Sequence, residues 1–193
     1  MPYYVHAQDK PGVGERLMEL AEEHWSYMDR FADGLILRGP TLSEDGEEHT
    51  GSVHVVDLDD RAAAERFAAE EPYWSAGLYE DVTADRTVVL LDRPSASDPL
   101  AAGLPLALVI ARWPAKDRGA DDLEPQSSDI TMDGRMRFVA VLVDDDEART
   151  TGVVAVVTTV PEDAHRVVRP LADRLAGEPT TLTAQRWTRG GRN

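Results

Sequence analysis

The sequence predicts an α+β fold of two tandem ferredoxin-like β-α-β-β-α-β units whose sheets pack as a pseudo-dimer within one chain. Three observations carry that expectation. Residues 1–92 alternate short β-branched runs with two helical stretches in the order β-α-β-β-α-β. The stretch Arg93-Pro94-Ser95-Ala96-Ser97-Asp98-Pro99 is rich in turn formers and poor in apolar residues, as a linker over residues 93–103 would be. From 104 to 193 the strand order begins again. One small sheet covered by helices leaves a face bare, and a second such sheet in the same chain would cover it.

Tyr3 to Gln8 is β-branched and aromatic, and it stops at Asp9-Lys10-Pro11-Gly12, where helix-initiating residues gather. Asp9 is expected to cap the helix that follows. From Val13 to Phe31 apolar residues recur at three-and-four spacing, with Leu17, Leu20, Tyr27, Met28 and Phe31 on one stripe, which predicts a single helix. His24 falls on that stripe, opposite a mainly charged face that includes Glu15, Glu19, Glu22 and Glu23. Gly34 is placed to take a left-handed cap. Leu35 to Arg38 forms a second strand, stopped by Gly39-Pro40, and Ser43 to Glu47 a turn. Gly51 to Leu58 is a third strand in which Ser52, His54 and Val56 alternate with Val53 and Val55. Asp59-Asp60 caps a helix from Arg61 to Glu70 with Ala63, Phe67 and Ala68 on its apolar face. A fourth strand lies near Glu80 to Ala84, with a further apolar run from Thr87 to Leu91.

In the second half, Leu106 to Trp113, Arg137 to Val143 and Gly152 to Val160 are strands. A helix opens at Pro161 with Ala164, Val167, Val168, Leu171 and Leu175 on its stripe, is expected to kink at Pro170, and ends at Gly177. Thr180 to Trp187 is the last strand. Lys116 to Gly134 stands where the first half has its His24 helix, but it has no apolar stripe and no histidine. The second half therefore reads as a degenerate copy without the first helix.

Composition removes several classes of function. With no cysteine there is no disulfide, thiolate nucleophile or Cys-based metal site. A net charge of −16 opposes binding to nucleic acid and to anionic membrane surfaces. No apolar run approaches membrane-spanning length, and the start Met1-Pro2-Tyr3-Tyr4 lacks the regions of a signal peptide, so a cytoplasmic protein is expected. Asp144-Asp145-Asp146 is a strand-end turn, since the glycine and distal glutamate of a calcium loop are missing. His6 and His54 could lie side by side on neighbouring strands. Without a clear third ligand they are expected to pack, and no metal is assigned.

Helix geometry places His24 about 18 Å along its helix, towards the edge where strand one begins. With strands one and three taken as central and parallel, the start of strand three brings Gly51 and Ser52 to that edge. Strand two delivers Gly39 and Pro40 there, and the second helix hands over Glu71, Pro72 and Tyr73. A carboxylate on one imidazole nitrogen fixes the tautomer and makes the other nitrogen a better base. His24 and Glu71 are therefore the candidate catalytic pair, with Ser52, Tyr73, Gly39, Pro40 and Gly51 as candidate substrate-binding residues.

The residues that carry this site also carry a family resemblance. Val5-His6-Ala7-Gln8-Asp9-Lys10, His24 in mid-helix, Leu37-Arg38-Gly39-Pro40, Thr50-Gly51-Ser52, the Ala-rich helix from Arg61 to Ala69, and Glu71-Pro72-Tyr73 followed by Ala76-Gly77-Leu78-Tyr79-Glu80 resemble the YciI-like, or YCII-related, family over residues 2–84. The resemblance implies a dimeric α/β-barrel superfamily fold and a His–Asp active pair. One branch of that family is a dehydrochlorinase acting on a chlorinated hydroxyquinol. The chain departs from the family pattern at Glu71, where aspartate is usual.

The expectation is a cofactor-independent acid–base enzyme of lyase, isomerase or cyclase type, acting on a small cyclic or aromatic metabolite at one site per chain. It would work as a monomer with an internal pseudo-dimer, or as a homodimer. The alternatives are a non-catalytic small-molecule binding or assembly module, and a cofactorless oxygenase.

Overall fold

The computed structural model describes residues 1–93, 103–119, 121–123, 134–178 and 180–191. Most of the expected linker at 93–103, and most of the Lys116 to Gly134 stretch, lie outside the described residues. Two compact units are present, one from Met1 to Arg86 together with the chain from Thr188 on, the other from Thr87 to Trp187. Among the described residues no helix is long and apolar enough to cross a membrane.

The first unit runs β1 (Pro2–Asp9), α1 (Gly14–Glu19), α2 (Ala21–Asp29), a 3₁₀ turn (Ala32–Gly34), β2 (Leu35–Leu42), β3 (His49–Asp57), α3 (Arg61–Ala69), α4 (Pro72–Ser75) and the first part of β4 (Tyr79–Asp92). The predicted single helix over 13–31 is two helices that meet at Leu20, whose backbone leaves the helical range at φ −97°, ψ 5°. His24 is consequently the fourth residue of α2 rather than deep in one long helix. Gly34 does not take the left-handed conformation. It is small because a Cβ there would stand 2.9 Å from the Asp57 carbonyl. Asp60 caps α3 by accepting from the Ala63 amide at 2.7 Å, and α3 buries Ala64 with Phe67, not Ala63.

The sheet of this unit is ordered β2-β3-β1-β4, and every pairing is antiparallel. β1 and β3 are central as expected but antiparallel, which moves the start of β3 to the end of β1: Ser52 faces Ala7 and Gly51 faces Gln8. The same register pairs His54 with Val5 and His6 with Val53, so the two histidines stand on opposite faces and not side by side. β2 does not stop at Gly39-Pro40 but continues through them to Leu42. The chain returns along β2 after Thr188, with the Thr188 amide donating to the Pro40 carbonyl at 3.3 Å and the Gly190 amide to Arg38 at 3.0 Å. Val5, Val56, Tyr27, Met28 and Phe67 form one apolar cluster between sheet and helices, and Ala7, Leu17, Tyr73, Leu78 and Tyr79 another.

The second unit contains the rest of β4, then β5 (Leu106–Asp117), β6 (Met136–Val143), β7 (Arg149–Thr158), α5 (Pro161–Ala176) and β8 (Leu182–Trp187). β5 pairs with β7 and β8, β7 with β6, and β6 with Thr87 to Asp92 of β4, all antiparallel. α5 runs through Pro170 as one element and ends on Gly177 in the left-handed conformation, φ 77°. Its Val167, Val168, Leu171 and Leu175 pack on Val109, Val141, Val153 and Ala155 in an uninterrupted apolar core.

Candidate active site

The site grows from one turn. Glu71 sits just before Pro72, which starts α4, and its extended backbone makes it the N-cap of that helix. One carboxylate oxygen accepts from the Trp74 amide at 2.9 Å, while the other lies 2.5 Å from His24 Nδ1. Both residues are buried, Glu71 at 4% and His24 at 9% exposure. A glutamate in place of the family's aspartate therefore reaches the imidazole, and capping holds the carboxylate where it does so. Nδ1 is thereby engaged, and the other ring nitrogen, Nε2, has no hydrogen-bond partner among the described residues. Tyr73, two residues on, stacks flat on the imidazole with ring centres 4.4 Å apart and planes 3° from parallel. The ring plane of His24 is thus fixed from one side by a hydrogen bond and from the other by an aromatic face.

The site opens on a cavity of about 820 Å³ lined by residues of the first unit. His24, Ser52, Tyr73, Gly39 and Pro40 line it; Gly51 does not. Its role is to admit the neighbouring strand, since a Cβ there would fall 2.3 Å from the Ala7 carbonyl. Gly39 meets the returning chain, where a Cβ on Gly190 would lie 3.0 Å from the Gly39 Cα. The Tyr73 hydroxyl is turned away from this chemistry and donates to the Leu17 carbonyl at 3.0 Å. Ser52 is instead coupled to Tyr79, which donates to the Ser52 oxygen at 3.0 Å. Burial, and then the Glu71 charge, push the phenols of Tyr73 and Tyr79 above their ordinary range, so both remain protonated donors.

The expected rim at the start of strand one is replaced by the helix-covered face of the sheet. The antiparallel register sets Val5, Ala7 and Asp9 on that face beside His54 and Ser52. His54, expected only to pack, lines the cavity with its ring 5.9 Å from that of His24. Burial, followed by the neighbouring His24 and Arg38, lowers its pKa to about 3, so it stays a neutral imidazole. Asp9 does not cap α1, whose N-cap is Val13 without a side-chain bond. It turns into the cavity and bonds His49 Nδ1. Sequence reasoning missed Asp9, His49, His54, Arg38 and Tyr79 as site residues. Ending the second strand at Gly39-Pro40, and taking β1 and β3 as parallel, hid the meeting of positions 38, 40, 52 and 54 with Asp9 on one face. Among the described residues no group of three His, Asp or Glu side chains is gathered as a metal site.

A helix-covered antiparallel sheet agrees with the fold of the known proteins to which the chain is similar. The family model of the YCII-related domain matches residues 1–86. An uncharacterized protein of Haemophilus influenzae is 32% identical over 89 residues, spanning 42% of this chain and 91% of its own. Protein YciI of Escherichia coli is 29% identical over 90 residues, 43% of this chain and 92% of its own. The chain belongs to the YCII-related family through its first half.

Among solved structures, a protein of Lactobacillus acidophilus provisionally named a monooxygenase aligns with 97% of the chain and 93% of its own length, at 10% identity and a TM-score of 0.53. That likeness concerns the fold, which is of the dimeric α/β-barrel type. The dehydrochlorinase of Burkholderia phenoliruptrix that acts on 5-chloro-2-hydroxyhydroquinone aligns with 51% of the chain and 100% of its own, at 20% identity and a TM-score of 0.42.

Proposed function

We propose that the YCII-related half is a cofactor-independent acid–base enzyme for a small cyclic or aromatic molecule, with His24 as the proton-transfer group. The observation that carries the reading is the Glu71–His24 bond at 2.5 Å, which leaves Nε2 as the free ring nitrogen beside a cavity of about 820 Å³. A substrate C–H or O–H at that nitrogen gives up its proton to the neutral ring. The Glu71 carboxylate stabilises the imidazolium that forms and keeps its plane, so Glu71 is a positioning residue that acts through His24. Ser52 accepts from Tyr79 and so has its own hydroxyl proton to offer to an oxygen that gains negative charge. Elimination, isomerisation and cyclisation all share this first step.

The second half, in the same reading, is a degenerate ferredoxin-like copy of the same scaffold. In both units a glycine on the strand before a helix sits against a neighbouring carbonyl, Gly51 against Ala7 and Gly152 against Ala111. One residue before each glycine the register skips a place, at Thr50 and at Thr151.

The test is a screen of enolisable cyclic ketones and hydroxylated aromatics for turnover or for deuterium uptake from D₂O, followed by His24→Gln. A loss of about 100-fold or more in kcat, with the thermal unfolding midpoint preserved, is expected. Full turnover by a folded His24→Gln protein would sink the reading. Retained ligand affinity without turnover in the wild type would favour a binding module instead.

A further inference from the structure

A second His–carboxylate pair opens on the same cavity. Asp9 closes β1 and His49 begins β3, and His49 Nδ1 bonds the Asp9 Oδ2 atom. The Asp9 side chain is 3% exposed, whereas that of His49 keeps 27% of its surface. Strict alternation along β3 would send His49 to the face of Val53 and Val55, away from the cavity. The register prevents this. Thr41 faces Gly51 and Leu42 faces His49, so Thr50 is an extra residue, and its hydroxyl turns to Thr41 at 3.0 Å. One inserted residue switches the phase of the strand and puts His49 on the same face as Ser52, His54 and Asp9.

Two observations separate this pair from an ordinary structural contact. The second unit has the same skip at Thr151, and there the corresponding residues, Trp113 and Thr150, meet in a neutral bond from indole to hydroxyl at 3.2 Å. The position is thus closed without charge in one unit, while the other buries a carboxylate there. The second is that Asp9 Oδ1 is buried with no hydrogen-bond partner among the described residues. Such an atom is costly to bury until a donor reaches it.

We propose that Asp9–His49 is a second proton-transfer site serving the molecule that His24 deprotonates. The proposal rests on the reading of His24 as a base and makes the overall reaction a relocation of a proton within one substrate. One imidazole, neutral, takes a proton from a C–H or O–H bond. The electron pair left behind shifts through the conjugated substrate, and the other imidazole, as imidazolium, gives its proton to the far atom. The substrate isomerises with no atom or electron gained or lost, and the two imidazoles, having exchanged states, reset through solvent.

The spacing selects the substrate class. Discounting the extra Thr50, His49 and His54 are about four strand positions, or about 13 Å, apart along β3, and the His24 ring is 5.9 Å from His54. A conjugated molecule of two or three fused rings has a length of that order and fits about 820 Å³, and it is the class best matched to the two pairs.

Diethyl pyrocarbonate modification of the full-length protein, with peptide mapping, reports each histidine separately and needs no substrate. His49 is expected to be carbethoxylated, and Asp9→Asn to slow that reaction several-fold while His165 keeps its rate. An unchanged His49 rate in Asp9→Asn overturns the proposal. With a substrate from the screen, His49→Gln is expected to lower kcat about 100-fold with KM nearly constant, and a raised KM with full kcat overturns it in favour of a binding group. If His24→Gln is inactive and His49→Gln is fully active, the second site fails and the base survives. Full activity in His24→Gln removes the base, and the Asp9→Asn rate then still decides whether the His49 pair is reactive.

Discussion

The two units present the same face of the same kind of sheet to their helices, and they fill it oppositely. In the first unit the cross-strand positions hold Arg38 with His54, Pro40 with Ser52, and Asp9 bonded to His49. Their counterparts in the second unit are Val139 with Ala155, Val141 with Val153, and Trp113 bonded to Thr150. In the second unit the residues become a packed apolar core beneath α5. In the first they become the wall of a cavity. The backbone pattern therefore does not require the polar cluster, because the second unit forms the same ladder without it. What the first unit gives up in apolar burial it holds as preorganised hydrogen bonds around His24, the pattern expected where a site has been built at the expense of stability.

The largest effect is expected from moving a site residue of the first unit into the second. Ala155→His would put in the second unit the imidazole that His54 supplies in the first. There it meets the packed core of Val139, Val153 and α5. Overpacking and an unpaired buried polar group together should cost about 3–5 kcal/mol, read as a loss of ΔG in urea unfolding. A variant that loses under about 1 kcal/mol would mean that the second face has room the comparison denies it.

A smaller effect tests what the units share. Gly51→Ala and Gly152→Ala each place a methyl within 2.3 and 2.5 Å of a facing carbonyl. Both should destabilise by about 1–3 kcal/mol, and by similar amounts, because the clash is with backbone on a paired strand. If Gly51→Ala removes turnover while leaving the unfolding curve in place, Gly51 belongs to the site and the scaffold role assigned to it is wrong.

Much of this was legible in the sequence, and the misses have physical causes. The strands of both halves, the caps at Asp60 and Gly177, and the choice of His24, Ser52 and the Glu71-Pro72-Tyr73 turn as candidates follow from local chemistry: alternation, turn residues and an out-of-place polar group on an apolar stripe. The direction of β3 relative to β1 is a property of the crossover and not of either strand's residues, and assigning it as parallel moved the site to the wrong place and sent Asp9 to the wrong edge. The skip at Thr50 leaves no local signature, because it depends on what lies across the strand pair. Without it alternation hides His49. The break at Leu20 is equally silent, since Leu20 is a good helix former and the apolar stripe continues across it.

The smallest effect at neutral pH comes from His54, and it separates the units by titration. Burial, then the nearby His24 and Arg38, lower its pKa from 6.5 to about 3. Between those values the unfolded chain takes up a proton that the folded chain refuses. The folded state therefore holds its full advantage above about pH 6.5 and loses it as the pH falls towards 3, by up to about 1.4 kcal/mol per unit, or a few kcal/mol in all. His54→Gln keeps a polar side chain of similar size but cannot titrate. Near pH 7 it should change ΔG by less than about 1 kcal/mol, while its stability profile from pH 6.5 down to 3 should be flatter than that of the wild type. Ala155, at the corresponding place in the second unit, contributes no such slope. Parallel profiles for wild type and His54→Gln across that window would mean that His54 accepts a proton in the folded state. The cavity wall would then carry a charge beside His24, and the role of His54 as a neutral neighbour of the base would have to be revised.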